Sequence, residues 1–368
     1  MLTVDLGALA ANWRLLRDQA QGAECAAVIK ADAYGIGTEP AARALNRAGC
    51  TTFFVAQLSE AARTRAACRQ ATIYVLNGLP PGSAASYAAL RVRPVLGSRE
   101  EIEEWAALCR TAGEALPAAI HVDTGMNRLG LRLQEALAFK DDPLLRDFEL
   151  ALVMSHFVSS EVPNDPLNGH QMAAFKAVRA AFLPVAASLC NSSGIFLPQR
   201  PHFSLVRPGY ALYGGNPKPG LPNPMHSVVR LEARVIQLRE VPPGETVGYN
   251  GLWTANRNRR LATLSVGYAD GYPRAASATD AKAQAGVAAG VALVAGWRCP
   301  FAGRVSMDLL SVDVTGVPID AVKRGDLVTL IGDELTIDDV GARAGTIGYE
   351  ILTGLGPRYA RAYVGGEA

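Results

Sequence analysis

Residues Cys25 to Gly37 read C-A-A-V-I-K-A-D-A-Y-G-I-G. Ala26, Ala27, Val28 and Ile29 form a short apolar run that ends at Lys30. Apolar residues in such a run, bounded by polar or glycine signals, predict a buried strand. Lys30 then stands at the strand's carboxyl end, its ammonium leaving an apolar wall. A lysine shifts its pKa readily when desolvated, and so serves as a base or forms an imine. A lysine that merely snorkels at a strand end fits the same letters. Tyr34, Gly35 and Gly37 follow in a predicted loop that can approach an anion closely.

Outward from this strand the pattern repeats. Strands are predicted at Ala26–Lys30, Thr52–Ala56, Thr72–Leu76, Val92–Leu96, Ala118–Val122, Leu150–Ser155, Ala186–Cys190 and Phe203–Arg207. Helical patterns lie at Leu6–Gln19, with Asp5 as its N-cap, and at Glu39–Ala48, Ser59–Ala67, Arg99–Ala112 and Gln171–Ala181. Strands alternating with helices argue for a parallel sheet, because parallel neighbours need crossovers. Eight such units over roughly 200 residues match a closed (β/α)8 TIM-type barrel. A doubly wound open sheet is the alternative. No G-x-G-x-x-G follows the first strand, which weighs against a dinucleotide site.

Residues 214–225 hold four prolines and three glycines and read as a linker. Beyond it the period changes. Val228–Val241 alternates nearly strictly, and Leu261–Val266, Gly290–Ala295, Leu309–Val314 and Leu327–Ile331 are short strands between turns. Short helices are expected at Asp338–Ala344 and Gly348–Thr353. The expected organisation is a barrel over 1–225 and a mostly-β domain over 226–368.

Composition agrees with two domains, since the chain has 368 residues and half are hydrophobic. The net charge is +2 and no basic block stands out, so neither nucleic acid nor a membrane surface is an expected partner. No apolar stretch approaches the ~20 residues of a membrane span, and the first residues carry no secretory pattern. The six cysteines are scattered without paired spacing. They read as buried hydrophobes in a reducing, cytoplasmic compartment, with no metal site.

In a barrel, chemistry gathers at strand carboxyl ends, and phosphate favours the loops after strands seven and eight. Asn191-Ser192-Ser193-Gly194 follows strand seven and Arg207-Pro208-Gly209-Tyr210 follows strand eight. Backbone amides near Ser192 and Gly209, with the Ser192 hydroxyl, would cradle a phosphate. Ordinary βα turns favour the same residues. His156 ends strand six and is a candidate cofactor contact. Arg128, in the loop after strand five, has the planar fork that clamps a carboxylate.

Several of these stretches are familiar together. V-I-K-A-D-A-Y-G-I-G resembles the pyridoxal-phosphate lysine motif of the alanine racemase family, and the resemblance spans nearly the whole chain. It implies that Lys30 holds pyridoxal 5'-phosphate covalently and that Tyr34 contacts its phosphate. D-T-G-M-N-R-L-G resembles the motif whose arginine, here Arg128, contacts the substrate carboxylate. N-S-S-G and V-R-P-G-Y-A-L-Y-G resemble the phosphate and pyridine sites. They imply Ser192, Gly209 and Tyr210 at the phosphate and Arg207 facing the pyridine nitrogen. G-Y-A-D-G-Y-P-R implies Tyr268 as a second catalytic base, and G-R-V-S-M-D implies the Met307 amide on the carboxylate. Tyr349 resembles a further phosphate tyrosine. In such a family the β domain of one chain reaches its partner's barrel mouth. The resemblance therefore implies a homodimer with shared sites, an amino-acid substrate, and D-alanine supply for peptidoglycan.

Two positions depart from the family pattern. His121 stands where many members have a carbamylated lysine that orients the arginine, and Ser306 stands where many have cysteine. A tyrosine is a poor base at neutral pH, so a Tyr268 phenolate needs a cation, and His156 near Arg207 is the expected one. Tyr272 and Tyr349 are candidate gates. A racemase that also accepts serine, a decarboxylase of the same architecture and a non-catalytic cofactor-binding barrel are the competing functions. Arg207 speaks against the decarboxylase, which benefits from a protonated ring nitrogen, and the β domain with Tyr268 against the non-catalytic barrel.

Overall fold

The computed structural model describes residues 1–366, so the last two positions of the expected β domain lie outside the described residues. Eight parallel strands form a ring. The first is Glu24–Cys25 continued by Ala27–Val28. Thr52–Val55, Thr72–Val75, Arg93–Leu96, Pro117–Asp123, Glu149–Met154 and Ala186–Ser188 follow, each parallel to the one before. Leu205–Val206 pairs with Glu24–Cys25 on one side. On its other side the amides of Ser204 and Arg207 donate to the carbonyls of Ala187 (3.0 Å) and Cys190 (2.9 Å). These bonds close a (β/α)8 barrel and exclude the open sheet.

Local chemistry explains the helices. The Asp5 carboxylate caps Leu6–Ala20 by accepting from the Ala8 amide at 2.8 Å, and that helix buries Leu9, Trp13 and Leu16. Ser98 caps Arg99–Ala112 in the same way.

The remaining sheet is mostly antiparallel and is organised on one long strand, Val229–Val241. That strand pairs with Arg259–Leu264 and Leu327–Ile331, and Leu310–Asp313 extends the sheet. Three of its strands were not expected: Leu2–Asp5, Trp297–Pro300 and Arg361–Val364. Leu2–Asp5 lies antiparallel to Val229–Val241 and parallel to Arg361–Val364. Four residues are too few for a periodic signal, and the partners of this strand come more than 200 positions later. Leu2 and Val4 are nonetheless fully buried. Residues 214–225 form no helix or strand, yet the segment is held. The Asn216 amide donates to Asp338 at 3.0 Å, and the Asn12 side chain accepts from His226 N at 2.8 Å and donates to the His226 and Leu212 carbonyls.

Directly after Lys30 the backbone turns left-handed. Ala31, Asp32, Ala33 and Tyr34 have φ of 54°, 55°, 52° and 52°. Nothing in the letters announces this turn, since none of the four is glycine. Each L-residue in this region costs roughly 1–2 kcal/mol, and such strain gathers at functional sites. Ala31 is exposed, so Ala31→Gly removes strain without emptying the core. Against this stands about 0.4–1 kcal/mol of added unfolded-chain entropy. The expected result is a small rise in the urea midpoint. Ala31→Val, β-branched where φ is positive, is expected to lower that midpoint.

Candidate active site

The carboxyl ends of the barrel strands bring together Lys30, Tyr34, Arg128, His156, Ser192, Arg207, Gly209 and Tyr210. Lys30 follows the fully buried Ile29. Desolvation lowers the pKa of its ammonium from the usual lysine value; the Arg128 guanidinium lowers it further, and the Glu60 carboxylate acts in the opposite direction.

Tyr34 is buried and stacks on Tyr213 with ring centroids 4.5 Å apart. Burial pushes its hydroxyl well above the usual tyrosine value, so it remains a neutral donor. A Cβ at Gly209 would overlap that hydroxyl, so only glycine fits. The Ser192 Oγ accepts from the amides of Gly209 (3.0 Å) and Ala211 (3.2 Å). With both lone pairs engaged, its own O–H remains to donate to an acceptor. Tyr210 turns its hydroxyl away, donating to Asp338 Oδ1 at 2.6 Å. Its ring stacks on Tyr349, centroids 3.8 Å apart. Burial and the carboxylates of Glu161 and Asp338 push the Tyr349 hydroxyl up to about 12.

Arg207 is buried at 3% exposure. It donates to Ser188 Oγ, to the Ser155 carbonyl at 2.6 Å, and to His156 Nδ1 at 3.5 Å. Burial lowers its pKa to about 10, which leaves it charged at neutral pH. His156 differs from expectation. Burial, followed by the charges of Arg207, Arg128 and Lys30, lowers its pKa to about 3. It is a neutral imidazole and does not supply the cation foreseen for Tyr268. The positive field of the mouth comes from Arg207, Arg128 and Lys30.

Arg128 rides on a loop shaped by Asp123, whose carboxylate accepts from the amides of Gly125 (2.9 Å), Met126 (2.8 Å) and Asn127 (2.9 Å). With His121, Asn77 and Glu101 it lines a cavity of about 250 Å³. Burial and Arg207 lower the pKa of His121 to about 4, so this position also holds a neutral ring.

Tyr268 and Met307 form a second group on the β domain. The Tyr268 amide donates to the Ser306 carbonyl and the Ala269 amide to the Met307 carbonyl, both at 3.0 Å. Arg358 ties the two turns, 3.3 Å from Asp270 and 2.8 Å from Asp308. The Gly271 turn closes against the Gly354 carbonyl, where a Cβ would collide. Tyr268 and Met307 are 41% and 54% exposed, and among the described residues no hydrogen bond joins them to the barrel mouth. Tyr272, a candidate gate, is buried beside Phe301, ring centroids 5.8 Å apart. Sequence reasoning also missed Ser155, Ser188, Gln171 and Glu60. Each makes a hydrogen bond to a partner in another part of the chain. Gln171, for one, donates to the His156 carbonyl at 2.8 Å.

Comparison with known proteins places this geometry. The family model "Alanine racemase, N-terminal domain" matches residues 4–217, and "Alanine racemase, C-terminal domain" matches residues 228–363. An alanine racemase of Methylobacterium sp. (strain 4-46) is 62% identical over 363 residues, covering 99% of this chain and 97% of that protein. The crystal structure of alanine racemase from Bartonella henselae with covalently bound pyridoxal phosphate is 40% identical, with a TM-score of 0.92 and 99% of each chain covered. The biosynthetic alanine racemase from Pseudomonas aeruginosa is 35% identical with a TM-score of 0.88, covering 99% of this chain and 98% of that one. Both halves of the fold, and the order in which they carry the two residue groups, therefore have one origin: the chain belongs to the alanine racemase family.

Proposed function

We propose that the protein is a pyridoxal-phosphate-dependent alanine racemase that interconverts L- and D-alanine with two bases, Lys30 and Tyr268. The observation that carries this reading is a lysine at the carboxyl end of the first barrel strand, directly after the buried Ile29 and beside a cradle that only glycine at 209 leaves open. The residues suit pyridoxal phosphate. Three neutral hydroxyls, on Tyr34, Ser192 and Tyr349, are donors for its phosphate, and Lys30 is the amine for its aldehyde. When bound, that group supplies an electron sink that makes the Cα–H of an amino acid acidic.

This chain's own residues do the rest. Arg128 and the Met307 amide bind the substrate carboxylate. Racemisation removes a proton from one face of Cα and returns one to the other, and one base does not easily reach both faces. Lys30 Nζ takes the proton of D-alanine and Tyr268 Oη that of L-alanine. Arg207 accepts no hydrogen bond, so a ring nitrogen facing it would stay unprotonated and the sink would stay weak, which would favour racemisation over transamination. Tyr268 lies on the other domain and is exposed, so we assign it to the mouth of a second copy in a two-fold dimer. The barrel carries the cofactor up to residue 225, Leu2–Asp5 excepted because that strand belongs to the other sheet, and the β domain from 226 carries the second base. We place the enzyme in the cytoplasm, where its D-alanine feeds peptidoglycan synthesis. Buried, free cysteines suit that compartment.

A racemase assay on alanine and serine, with and without added pyridoxal phosphate, tests the reading. Cofactor-dependent conversion of both alanine enantiomers is expected, with serine a slower substrate because packing discriminates one hydroxyl only modestly. Release of carbon dioxide, or conversion of neither enantiomer, contradicts it. Arg207→Glu is expected to slow racemisation on the order of 100-fold and to raise pyruvate formation from alanine. An unchanged product profile removes the role given to Arg207.

A further inference from the structure

We propose that Glu60 is a positioning residue of this site, whose carboxylate fixes the left-handed turn that aims Lys30 and Tyr34. The proposal rests on the reading of Lys30 as cofactor lysine and base.

Glu60 lies in the first turn of helix Leu58–Ala67, after the second barrel strand. Its Oε2 accepts from the amides of Ala56 (2.8 Å) and Gln57 (3.1 Å), which caps that helix. Its Oε1 reaches across to the first barrel strand and accepts from the Ala31 amide at 2.6 Å. Helix capping engages one oxygen, and the other is committed to the residue after Lys30. Ala31 begins the run of four left-handed residues. Within the turn, the Gly35 amide donates to the Ala31 carbonyl at 2.9 Å and Gly37 to Asp32 at 2.9 Å. At the turn's start the Ala33 amide donates to the Ile29 carbonyl at 3.0 Å, and Glu60 is the side-chain tie there.

The same helix grips the turn a second time. Arg63, three residues on, pairs with Asp32 at 2.8 Å, and Asp32 also accepts from Thr38 N and Oγ1 at 3.0 Å. Arg63 is exposed and shared with Glu39, and Asp32 is half-buried, so such a pair holds little on its own. Glu60 instead shares a full charge among three amides, the stronger kind of hydrogen bond. Its charge also bears on Lys30. The groups around that ammonium are Arg128, Glu60 and His156, and Glu60 is the anion among them.

Two substitutions separate positioning from capping. Glu60→Gln removes the charge and sets an NH2 group against an N–H donor. Glu60→Asp keeps the charge and can still cap, as Asp339 does at the same helix position after Thr336. It is one methylene too short to hold Ala56 and Ala31 together. In the full-length holoenzyme both variants are expected to lower kcat roughly 10- to 100-fold, with the KM for alanine within about threefold because Arg128 is untouched. Amide hydrogen exchange over residues 29–35 is expected to quicken at least about tenfold in both, as local opening becomes easier. The acid limb of the kcat–pH profile should move to lower pH in the Gln variant, where the anion beside Lys30 is gone, and stay in place in the Asp variant. An Asp variant with parental kcat and parental exchange would make Glu60 a helix cap only and overturn the proposal, even if the Gln variant fails to fold. Exchange over 29–35 does not depend on which lysine holds the cofactor, so a failure of that assignment is read separately, from the lysine labelled on borohydride reduction.

Discussion

Lys30→Ala is expected to reduce racemisation by at least about 10⁴-fold, since it removes the covalent anchor and one of two bases together. Among the described residues no hydrogen bond ties the Lys30 side chain to its surroundings, and it stands at the barrel mouth rather than in the core. The variant should therefore fold with a melting temperature close to the parent's. Lys30→Arg is expected to be as inactive, because a guanidinium stays charged and neither forms the imine nor accepts a proton at neutral pH. The assay is alanine interconversion by purified protein with saturating pyridoxal phosphate. Activity within tenfold of the parent in either variant would remove Lys30 from the chemistry.

Tyr268→Phe is expected to lower kcat by roughly 10²- to 10⁴-fold, the usual worth of a positioned proton-transfer group. Its hydroxyl is exposed and its ring stays in place, so stability should be unaffected. The stronger test concerns assembly. Lys30→Ala chains and Tyr268→Phe chains are unfolded and refolded together. If sites are shared between copies, about half the dimers are mixed and one of the two sites in each holds both intact bases. About a quarter of the parental activity then returns, by random pairing of two-fold dimers. If each site is built within one chain, no site in the mixture is complete. Mixed dimers shown to have formed, with activity no higher than the separate mutants, would reject the composite site.

How much of this was legible in the letters depends on the reach of the interactions. The eight barrel strands were readable because each is a short apolar run with its own turn signals, and Thr52, Thr72 and Ala186 were placed as strand starts. Leu2–Asp5 and Arg361–Val364 were not, because their pairing is remote: Arg361–Val364 becomes a strand beside Leu2–Asp5, which itself lies beside Val229–Val241. Compact motifs offered Lys30, Tyr34 and Arg207 as candidates, and the fold places all three at the carboxyl ends of barrel strands. Their charge states could not. His156 looked like a cation in the sequence, yet burial first, and then three positive neighbours, hold it neutral. The left-handed turn was invisible for a related reason. Ala-Asp-Ala-Tyr has no intrinsic preference for positive φ, and the conformation is imposed by Glu60, Asp32 and the packing around them.

The central claim is that Lys30 is the residue that holds pyridoxal phosphate. The chain has six lysines, so one chemical label distinguishes them. Purified protein carrying the cofactor is reduced with borohydride, digested and mapped by mass spectrometry. The account predicts a pyridoxyl group on the peptide containing Val28 to Tyr34, attached at Lys30. A label on Lys140, Lys176, Lys218, Lys282 or Lys323 instead would contradict it.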